Sequence, residues 1–505
     1  MNRSLSLFLA VSAMFAAHAA PWQGDSIAVN DTPLLPSAVI VQASNDTIDT
    51  QHPSPRPLIA IGEVMGTNLV IHGLCRFILD EPYANTSLHS IHSNLTTGPK
   101  WDNDHFYLNH IGHPYQGNLH FNAARSNGMG FWQSVPFAFA GSLLWEVTCE
   151  TEPPAINDLV TTTFAGAAIG EVANRLSGSI IDDSQRGLSR FVRETAAAII
   201  NPLQGFNRLV SGKAWKVRSN GAQPDETIPA TFTLSFGTRH LATLPTSSTQ
   251  DPSASHHRTN LTAAFSMEYG SVVNGESHPK PYDYFTFDTE FSITGNQPLL
   301  SHMYIMGRLL SLRQAKNMEW GLYQHFRYEE VRLEDKEAAS PFPIGEMASV
   351  GPGFIWACPP LSPRLKAEQG VFVSGVAMGA INSDYYAVAD RTYNLGSGYA
   401  AATRSRLHWQ GIADVQLDAR FMHLFTWKGY EHKDLSTIDP QHLNAQGDRS
   451  NARVFSVALK ADAHLTEALA LSVGATYTTR HTHYHCFPDR HADCYECRAA
   501  LSWHF

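Results

Sequence analysis

The chain has 505 residues, more than one average domain, and its composition limits the class of protein it can be. Only 16% of the residues are charged and the formal net charge is −10, so the chain lacks the basic surface that nucleic acid requires, and no nucleic-acid partner is expected. The six cysteines form no repeated CxxC pair. Disulfides are therefore permitted in an exported chain but do not define its fold.

Residues 1–19 have the features of a cleavable secretory signal peptide. Arg3 precedes an apolar stretch, and Ala17-His18-Ala19 supplies the small residues of a cleavage site. Residues 20–57 are rich in Ser, Thr, Asn, Asp and Pro without a sustained period, which predicts a disordered linker. We expect no later segment to reach the roughly 20 apolar residues of a spanning helix, because the best competitor, residues 58–79, carries several polar and charged side chains.

Residues 58–217 have apolar side chains at three- and four-residue spacing, with Gly, Pro and Asn at the breaks, which predicts a helical unit. The predicted helices cover residues 58–79, 118–127, 131–148, 156–176 and 184–200. Within the fourth of these, Thr162, Gly166 and Gly170 form a seam of small residues that allows another helix to approach closely.

Residues 226–505 alternate apolar and polar side chains in segments long enough to cross a bilayer when tilted. The last strand shows this most clearly: odd positions from Tyr495 to Phe505 are apolar or aromatic, while Glu496 and Arg498 share the other face. The alternative is an amphipathic strand of a soluble sandwich. We predict a mainly β protein, a transmembrane antiparallel β-barrel of about twelve strands preceded by a helical periplasmic or plug unit.

Short and long links between the predicted strands alternate, as they do in outer-membrane barrels. Links near residues 314–317, 409–411 and 464–467 are short, whereas those near 331–343, 384–396 and 428–450 are long. One link, at Gly295-Asn296-Gln297, is short on the side expected to be outside, which leaves the strand count open by about two. The inward face carries charges of both signs, which favours a filled lumen over an open pore, so we expect part of the helical unit to plug or cap the barrel from the periplasmic side.

Two sequence strings carry a family resemblance: GHPYQGNLHFNAARSNGMGFWQS, and after it GSLLWEVTCETEPPAINDLVTTTFAGAAIGEVANRLS. They resemble the uncharacterised bacterial family called domain of unknown function 3943. The likeness continues through residues 201–208 and more loosely to Phe505. The resemblance implies an outer-membrane location and fold but no reaction.

The same region contains the candidate catalytic residues Glu146, Glu150, Asp158, His113 and Arg125. Glu146 and Glu150 are four apart, which predicts one helix face, and neighbouring buried carboxylates raise each other's pKa, as general acids require. Arg125 would serve as an anion clamp. The alternative is an internal ion-pair network that only joins helices.

Thiols and imidazoles crowd the last predicted hairpin. His483, His485, Cys486 and His491 are weak candidates for a metal site, since such ligands bind zinc or copper. A disulfide between Cys486 and Cys494 is the favoured interpretation in an oxidising compartment.

The sequence therefore predicts an outer-membrane protein of a Gram-negative bacterium, in envelope structure or in transport of a small or lipidic solute. The alternatives are a lipid- or glycan-modifying enzyme that uses the carboxylates and His of the helical unit, and a purely structural barrel. No recognised catalytic motif is present, so an enzyme is the less favoured interpretation, and no cofactor is expected. The expected partners are membrane lipid and, through the strand ending at Phe505, the outer-membrane assembly machinery.

Overall fold

The computed structural model describes residues 54–217, 230–244, 256–271, 280–294, 297–315, 317–332, 340–360, 362–431 and 443–505. The predicted signal peptide and residues 20–53 of the predicted linker lie outside the described residues. The chain divides into two compact units. The first contains residues up to Gly98, Leu119–Pro154 and Ala173–Thr227, and the second contains Pro99–Asn118, Ala155–Val172 and Ile228–Phe505.

A closed antiparallel barrel of twelve strands forms most of the second unit, so the predicted fold class is confirmed. Each strand pairs with its sequence neighbours, and β1 pairs with β12 to close the sheet. The strands are β1 Ala230–Leu244, β2 His256–Tyr269, β3 Phe285–Ser292, β4 Leu300–Ala315, β5 Met318–Glu329, β6 Ile344–Ala357, β7 Leu365–Asn382, β8 Tyr393–Trp409, β9 Ala413–Phe425, β10 Ser450–His464, β11 Leu469–Tyr484 and β12 Arg490–His504.

Successive side chains of a strand point to opposite faces, so contacts between strands that are not neighbours identify the lumen. Arg406 of β8 donates to Glu268 of β2 at 2.8 Å, and Arg327 of β5 donates to Ser456 of β10 at 3.1 Å. These strands lie far apart in the barrel order, so the four side chains must meet through its interior. Because side chains alternate along a strand, the positions of these four residues show which residues of a strand point into the lumen and which point outward.

The outward positions form the apolar surface of a membrane barrel. On β7, outward Val371 and Val373 are 45% and 52% exposed, whereas inward Phe372 and Ser374 are buried. Half-exposed tryptophans, Trp320, Trp356 and Trp409, lie at strand ends near the rim where β1 begins and β12 ends, here called the terminal rim. Aromatic residues in this position are typical of the lipid–water boundary of such barrels.

The links follow the predicted asymmetry. Those at the terminal rim between β4 and β5, β8 and β9, and β10 and β11 are short, while residues 330–343, 383–392 and 426–449 form long links at the opposite rim, here called the loop rim. Gly295 and Asn296 of the short link in question lie outside the described residues, and the strand pairing gives a count of twelve. Residues 270–284 form a longer link at the terminal rim, which the sequence did not indicate.

The barrel's own side chains fill much of its lumen. Ion pairs join inward charges, including Glu290 with both Arg239 and Arg498 at 2.8 and 2.9 Å. Toward the loop rim an apolar cluster occupies the interior, with contributions from Ile344, Val376, Leu424 and Val454 among others. The mixed charges were expected to favour a polar filling, and the structure instead pairs them with one another inside the lumen.

Seven α-helices precede the barrel in the described chain: α1 Pro57–Phe77, α2 Leu88–Thr97, α3 His113–Ser126, α4 Phe131–Thr148, α5 Ile156–Ile180, α6 Gly187–Ile200 and α7 Pro202–Val210. The apolar periods in the sequence predicted the bounds of α1, α4 and α6 closely. By length and composition alone α1 is apolar enough to cross a membrane, with a mean hydropathy of 1.5 over its best window. This corrects the expectation that no such segment follows the signal peptide.

Candidate functional site

Two stretches of the helical region belong to the same compact unit as the barrel: Pro99–Asn118 and Ala155–Val172, here called the wall segments. They join at their ends, where Lys100 forms a parallel bridge with Ala155 and the backbone N–H of Ile156 donates to the carbonyl of Lys100 at 2.8 Å. From this junction α3 and α5 lead away side by side.

The two wall segments pack backbone to backbone. A Cβ on Gly166 would lie 2.7 Å from the Cα of Gly117, and a Cβ on Gly117 would collide with the carbonyl oxygen of Thr162. Only hydrogen atoms fit at these two positions, so the seam of small residues predicted in this helix has the close-packing role expected of it.

The wall segments lie on the outside of the barrel. The ring of Phe106 stacks on Tyr328 at 5.2 Å and meets Tyr393 edge-on at 5.3 Å, and a Cβ on Gly345 would lie 2.7 Å from His110. Tyr328 neighbours inward Arg327 and pairs in register with Gly345, so both point outward.

A second contact places the other wall segment on the same surface. Outward Gln324, between inward Tyr323 and His325, donates to the carbonyl of Phe164 at 2.8 Å and accepts from the hydroxyl of Tyr282 at 3.0 Å. For the wall segments, these contacts correct the expectation that the helical unit enters the lumen. The physical reason is which side chains occupy each face of the barrel wall. Aromatic and small residues at the outward positions of β5, β6 and β8 offer an apolar surface for helices, whereas inward side chains of the strands occupy the lumen.

A cluster of polar side chains lies where the wall segments join. His113 and Asp158 are both buried, with Nε2 of His113 3.6 Å from Oδ2 of Asp158. The amides of Asn109 and Asn157 donate to Oδ1 of Asp102 at 2.9 and 2.5 Å. Amide donors hold the Asp102 carboxylate in one orientation, which is how reactive or metal-binding carboxylates are fixed.

We call Asp102, Asp104, His113 and Asp158 the carboxylate–histidine cluster. One ligand atom from each of Asp102, Asp104 and His113 lies within 4.8 Å of the others, which is a spacing that can hold a metal ion. Burial and the charge of Asp104 raise the pKa of Asp102, and His113 opposes this shift. Carboxylates with a raised pKa beside an imidazole can exchange protons or bind a divalent cation.

Arg391, in the link between β7 and β8, fixes the cluster to the loop rim. It is fully buried and donates to the carbonyl of Asp102 at 2.6 Å, to the hydroxyl of Tyr386 at 2.7 Å and to the carbonyl of Ala445 at 2.5 Å. Tyr386 in turn donates to Asn103 at 2.9 Å. The sequence did not single out Arg391, because its partners are distant in the chain.

Within the second compact unit, the structure brings His113 and Asp158 together. Glu146, Glu150 and Arg125 belong to the first compact unit. Glu150 does not share a helix face with Glu146, because α4 ends at Thr148 and the Glu150 carboxylate turns back to accept from the indole of Trp145 at 2.5 Å. Arg125 donates to the carbonyl of Met129 at 2.7 Å. Their catalytic roles stay predictions.

The last hairpin contains no disulfide between Cys486 and Cys494. All six cysteines, each within the described residues, are free. Cys486 lies in the link, whereas Cys494 is on β12 opposite Thr478, which separates the two thiols along the hairpin. His483 and His491 bind the carboxylates of Asp489 and Asp493, and among the described residues this hairpin brings no three ligand atoms together for a metal.

The comparison with protein families agrees with the resemblance seen in the sequence. Residues 98–203 match the family "Domain of unknown function (DUF3943)". The match covers both wall segments and the carboxylate–histidine cluster and ends before the barrel. No curated protein matches the chain.

Solved structures similar to the chain include outer membrane channels. An outer membrane channel from Pseudomonas putida F1 is 9% identical, with 55% of this chain and 95% of that chain covered and a TM-score of 0.25. The outer membrane channel DcaP of Acinetobacter baumannii is 8% identical, with 55% and 97% covered and a TM-score of 0.20. Neisserial surface protein A is 11% identical, with 54% and 97% covered and a TM-score of 0.16. The fold assignment itself rests on the strand pairing.

Proposed function

We propose that this protein is an outer-membrane enzyme that modifies a lipid or a lipid-linked glycan at the loop rim of its barrel. The observation that carries the proposal is the position of the carboxylate–histidine cluster on the outward side of the barrel wall, held by Arg391 to the loop-rim links. A substrate dissolved in the membrane reaches that side without entering the lumen.

The cluster has the groups that hydrolysis or group transfer needs. His113 and Asp158 form a buried imidazole–carboxylate pair, and an imidazole in such a pair can accept and return a proton. Asp102 and Asp104 are only partly buried, so they are open to a substrate or a divalent cation. Ion pairs and an apolar cluster inside the lumen favour chemistry on the outer wall over passage of a solute.

An outer-membrane location at the cell surface accounts for the remaining features. The barrel has an apolar outward face and alternating short and long links, which are typical of bacterial outer-membrane proteins. Long links at the loop rim then face the exterior and short links the periplasm. The cluster would lie at the level of the outer-leaflet headgroups.

Lipid analysis of cells tests this function. Cells that express the protein should contain a lipid species whose mass differs from that of cells without it, and His113→Ala and Asp158→Asn should each remove that species. His105→Ala is the matched control, because His105 is exposed in the same wall segment, and it should leave the change intact.

Assembly of each variant is measured in parallel by gel electrophoresis, in which a folded barrel that has not been heated migrates faster than the heated, unfolded chain. If His113→Ala assembles and the lipid profile remains as in the unsubstituted protein, the enzymatic role is wrong. If the unsubstituted protein itself changes no lipid, glycolipid or lipid-linked glycan, the proposal also fails.

A further inference from the structure

The first compact unit carries an unusual outer surface on α1. This helix has 21 residues and is therefore about 31 Å long, close to the thickness of a bilayer's hydrocarbon core. Leu69 is 67% exposed and Phe77 is 79% exposed. The other large exposed apolar side chains of the helix are Leu58, Ile59, Ile61, Met65 and Val70. In water such a surface costs free energy at every turn of the helix.

The polar side chains of α1 point the other way, into the unit. The carboxylate of Glu63 accepts from Asn127 at 2.9 Å, and the amide of Asn68 donates to the carbonyl of Gly141 at 2.9 Å. His72 lies 3.1 Å from the carbonyl of Cys149, and Arg76 donates to the carbonyl of Thr86 at 3.2 Å. Helices in a membrane bury their polar groups against their neighbours in this manner.

Helix α4, which packs on α1 through Gly141, has the same arrangement. Trp132, Phe139 and Leu143 are exposed, whereas Glu146 is 1% exposed. The carbonyl of Glu146 accepts from Asn94 at 3.2 Å. Polar groups inside and apolar groups outside are the reverse of a water-soluble helical unit.

Helices α6 and α7 are also apolar on the outside and charged on the inside. Arg190 and Arg208 are each 6% exposed and both bind the carboxylate of Asp183. Arg208 also binds Glu194 at 2.7 Å. On the opposite face, at positions three and four apart, the exposed side chains are apolar: Leu188, Phe191, Val192, Phe206, Leu209 and Val210.

The charges that remain exposed on this pair of helices all have one sign. Between residues 184 and 217 the exposed ionisable side chains are Arg186, Arg193, Lys213 and Lys216. The one acidic residue of the same stretch, Glu194, is paired with Arg190 and Arg208 in the interior. Apolar side chains bordered by Lys, Arg and an exposed Trp215 are typical of helices that lie at an anionic lipid surface.

We propose that the first compact unit is embedded in lipid, with α1 and α4 against the hydrocarbon and α6 and α7 at the level of anionic headgroups. The occupant of its apolar surface is therefore phospholipid. Three observations together point to this one environment: the polar groups face the interior, α1 has the length of a bilayer core, and exposed basic side chains border α6 and α7.

Photo-crosslinking in the full-length protein tests the proposal. The photoreactive residue p-benzoylphenylalanine replaces Leu69 on α1 or Phe206 on α7, and it replaces Glu152, an exposed polar position of the same unit, as the control. Each protein is reconstituted in vesicles of phosphatidylethanolamine and phosphatidylglycerol, irradiated and analysed by mass spectrometry. We expect phospholipid adducts at positions 69 and 206 and at least tenfold fewer at position 152.

Vesicles of phosphatidylcholine alone separate the two lipid environments. The adduct yield at position 69 should be unchanged, because hydrocarbon is common to both vesicles, whereas the yield at position 206 should fall several-fold without anionic headgroups. Equal yields at position 206 would overturn the headgroup assignment. A crosslink from position 69 to a second copy of the chain or to another polypeptide, or no lipid adduct there, would overturn the embedding.

Discussion

Gly117 and Gly166 set the distance between the two wall segments. We expect Gly166→Ala to lower the stability of the helices by about 1–3 kcal/mol, because its Cβ meets the Cα of Gly117 at 2.7 Å and the backbones must separate. Thermal unfolding followed by the helical circular-dichroism signal measures the effect.

The matched control is Gly178→Ala in the same helix, where a Cβ meets nothing within 4 Å. There the substitution should be neutral or stabilising, since alanine favours a helix over glycine by up to about 1 kcal/mol. Equal unfolding midpoints for the two variants would show that the helices are not in close contact at Gly166.

Asp448 is expected to make the folded protein less stable as the pH rises, which is opposite to the effect of most carboxylates. It is fully buried in the link between β9 and β10, where burial raises its pKa from 3.8 to about 6 despite a hydrogen bond from Ser383. The folded protein therefore holds this proton more tightly than the unfolded chain. Its contribution to stability is full below pH 3.8 and declines as the pH rises to about 6, by at most roughly 3 kcal/mol.

We expect Asp448→Asn to remove this decline, so that the variant is more stable than the unsubstituted protein at neutral pH and similar to it in acid. Thermal unfolding midpoints across this pH range provide the measurement. Asp390→Asn, an exposed acid of the neighbouring link, should leave the pH profile unchanged. A parallel profile for Asp448→Asn and the unsubstituted protein would contradict the assignment.

Single residues show what sequence alone leaves open. The pairing of His113 with Asp158 joins two candidates that are 45 positions apart, and their residue types made both visible. The turn of Glu150 toward Trp145 was not predictable, because it depends on where α4 ends. Arg391 gave no signal at all, since a buried arginine in a long link resembles any exposed one until its three acceptors are known.

At the scale of elements, the contact between the first wall segment and the barrel depends on an outward glycine. We expect Gly345→Val to displace His110, whose ring lies 2.7 Å from the position of the new Cβ, and to speed hydrogen–deuterium exchange in residues 105–112 severalfold. Gly375→Val is the control, because this glycine is outward on uncovered β7 and its Cβ would meet only the carbonyl of Val350 at 4.0 Å.

Exchange in residues 105–112 should be unchanged in the control. The same pair of variants distinguishes the two faces of the wall, since a segment inside the lumen would respond to neither outward substitution. Protection that is equal in both variants and in the unsubstituted protein would therefore contradict packing on the outer wall.

Long elements with a clear period were predictable, and short polar ones were not. Phe131–Thr148 was predicted with its observed bounds, because glycines precede its apolar run and the polar residues Glu150–Glu152 follow it. Helix α2 was missed since its ten residues are mostly polar, although Ser87 and Ser90 form a reciprocal cap at its start. Helix α7 was missed because Pro202 follows α6 so closely that the break resembles an end.

For the whole molecule, the alternation of side chains was sufficient to predict a closed barrel of about twelve strands, and the spacing of the strands predicted which end carries the long links. That alternation cannot tell which face of the wall another element covers. Both faces of β5 carry aromatic residues, Tyr323 inward and Tyr328 outward, and both are fully buried. Part of the helical unit was expected inside because the lumen is charged, but those charges pair with each other, and the outward aromatic surface binds the wall segments.

A density map of the protein in lipid nanodiscs, at a resolution that shows side chains, tests the central claim most directly. The prediction is that Phe106 and His110 lie on the lipid-facing side of the barrel against Tyr328, Gly345 and Tyr393, with the lumen occupied by Arg406, Glu268 and the other inward side chains. Density for the wall segments inside the barrel, or an open lumen with the helices detached from the wall, would contradict it.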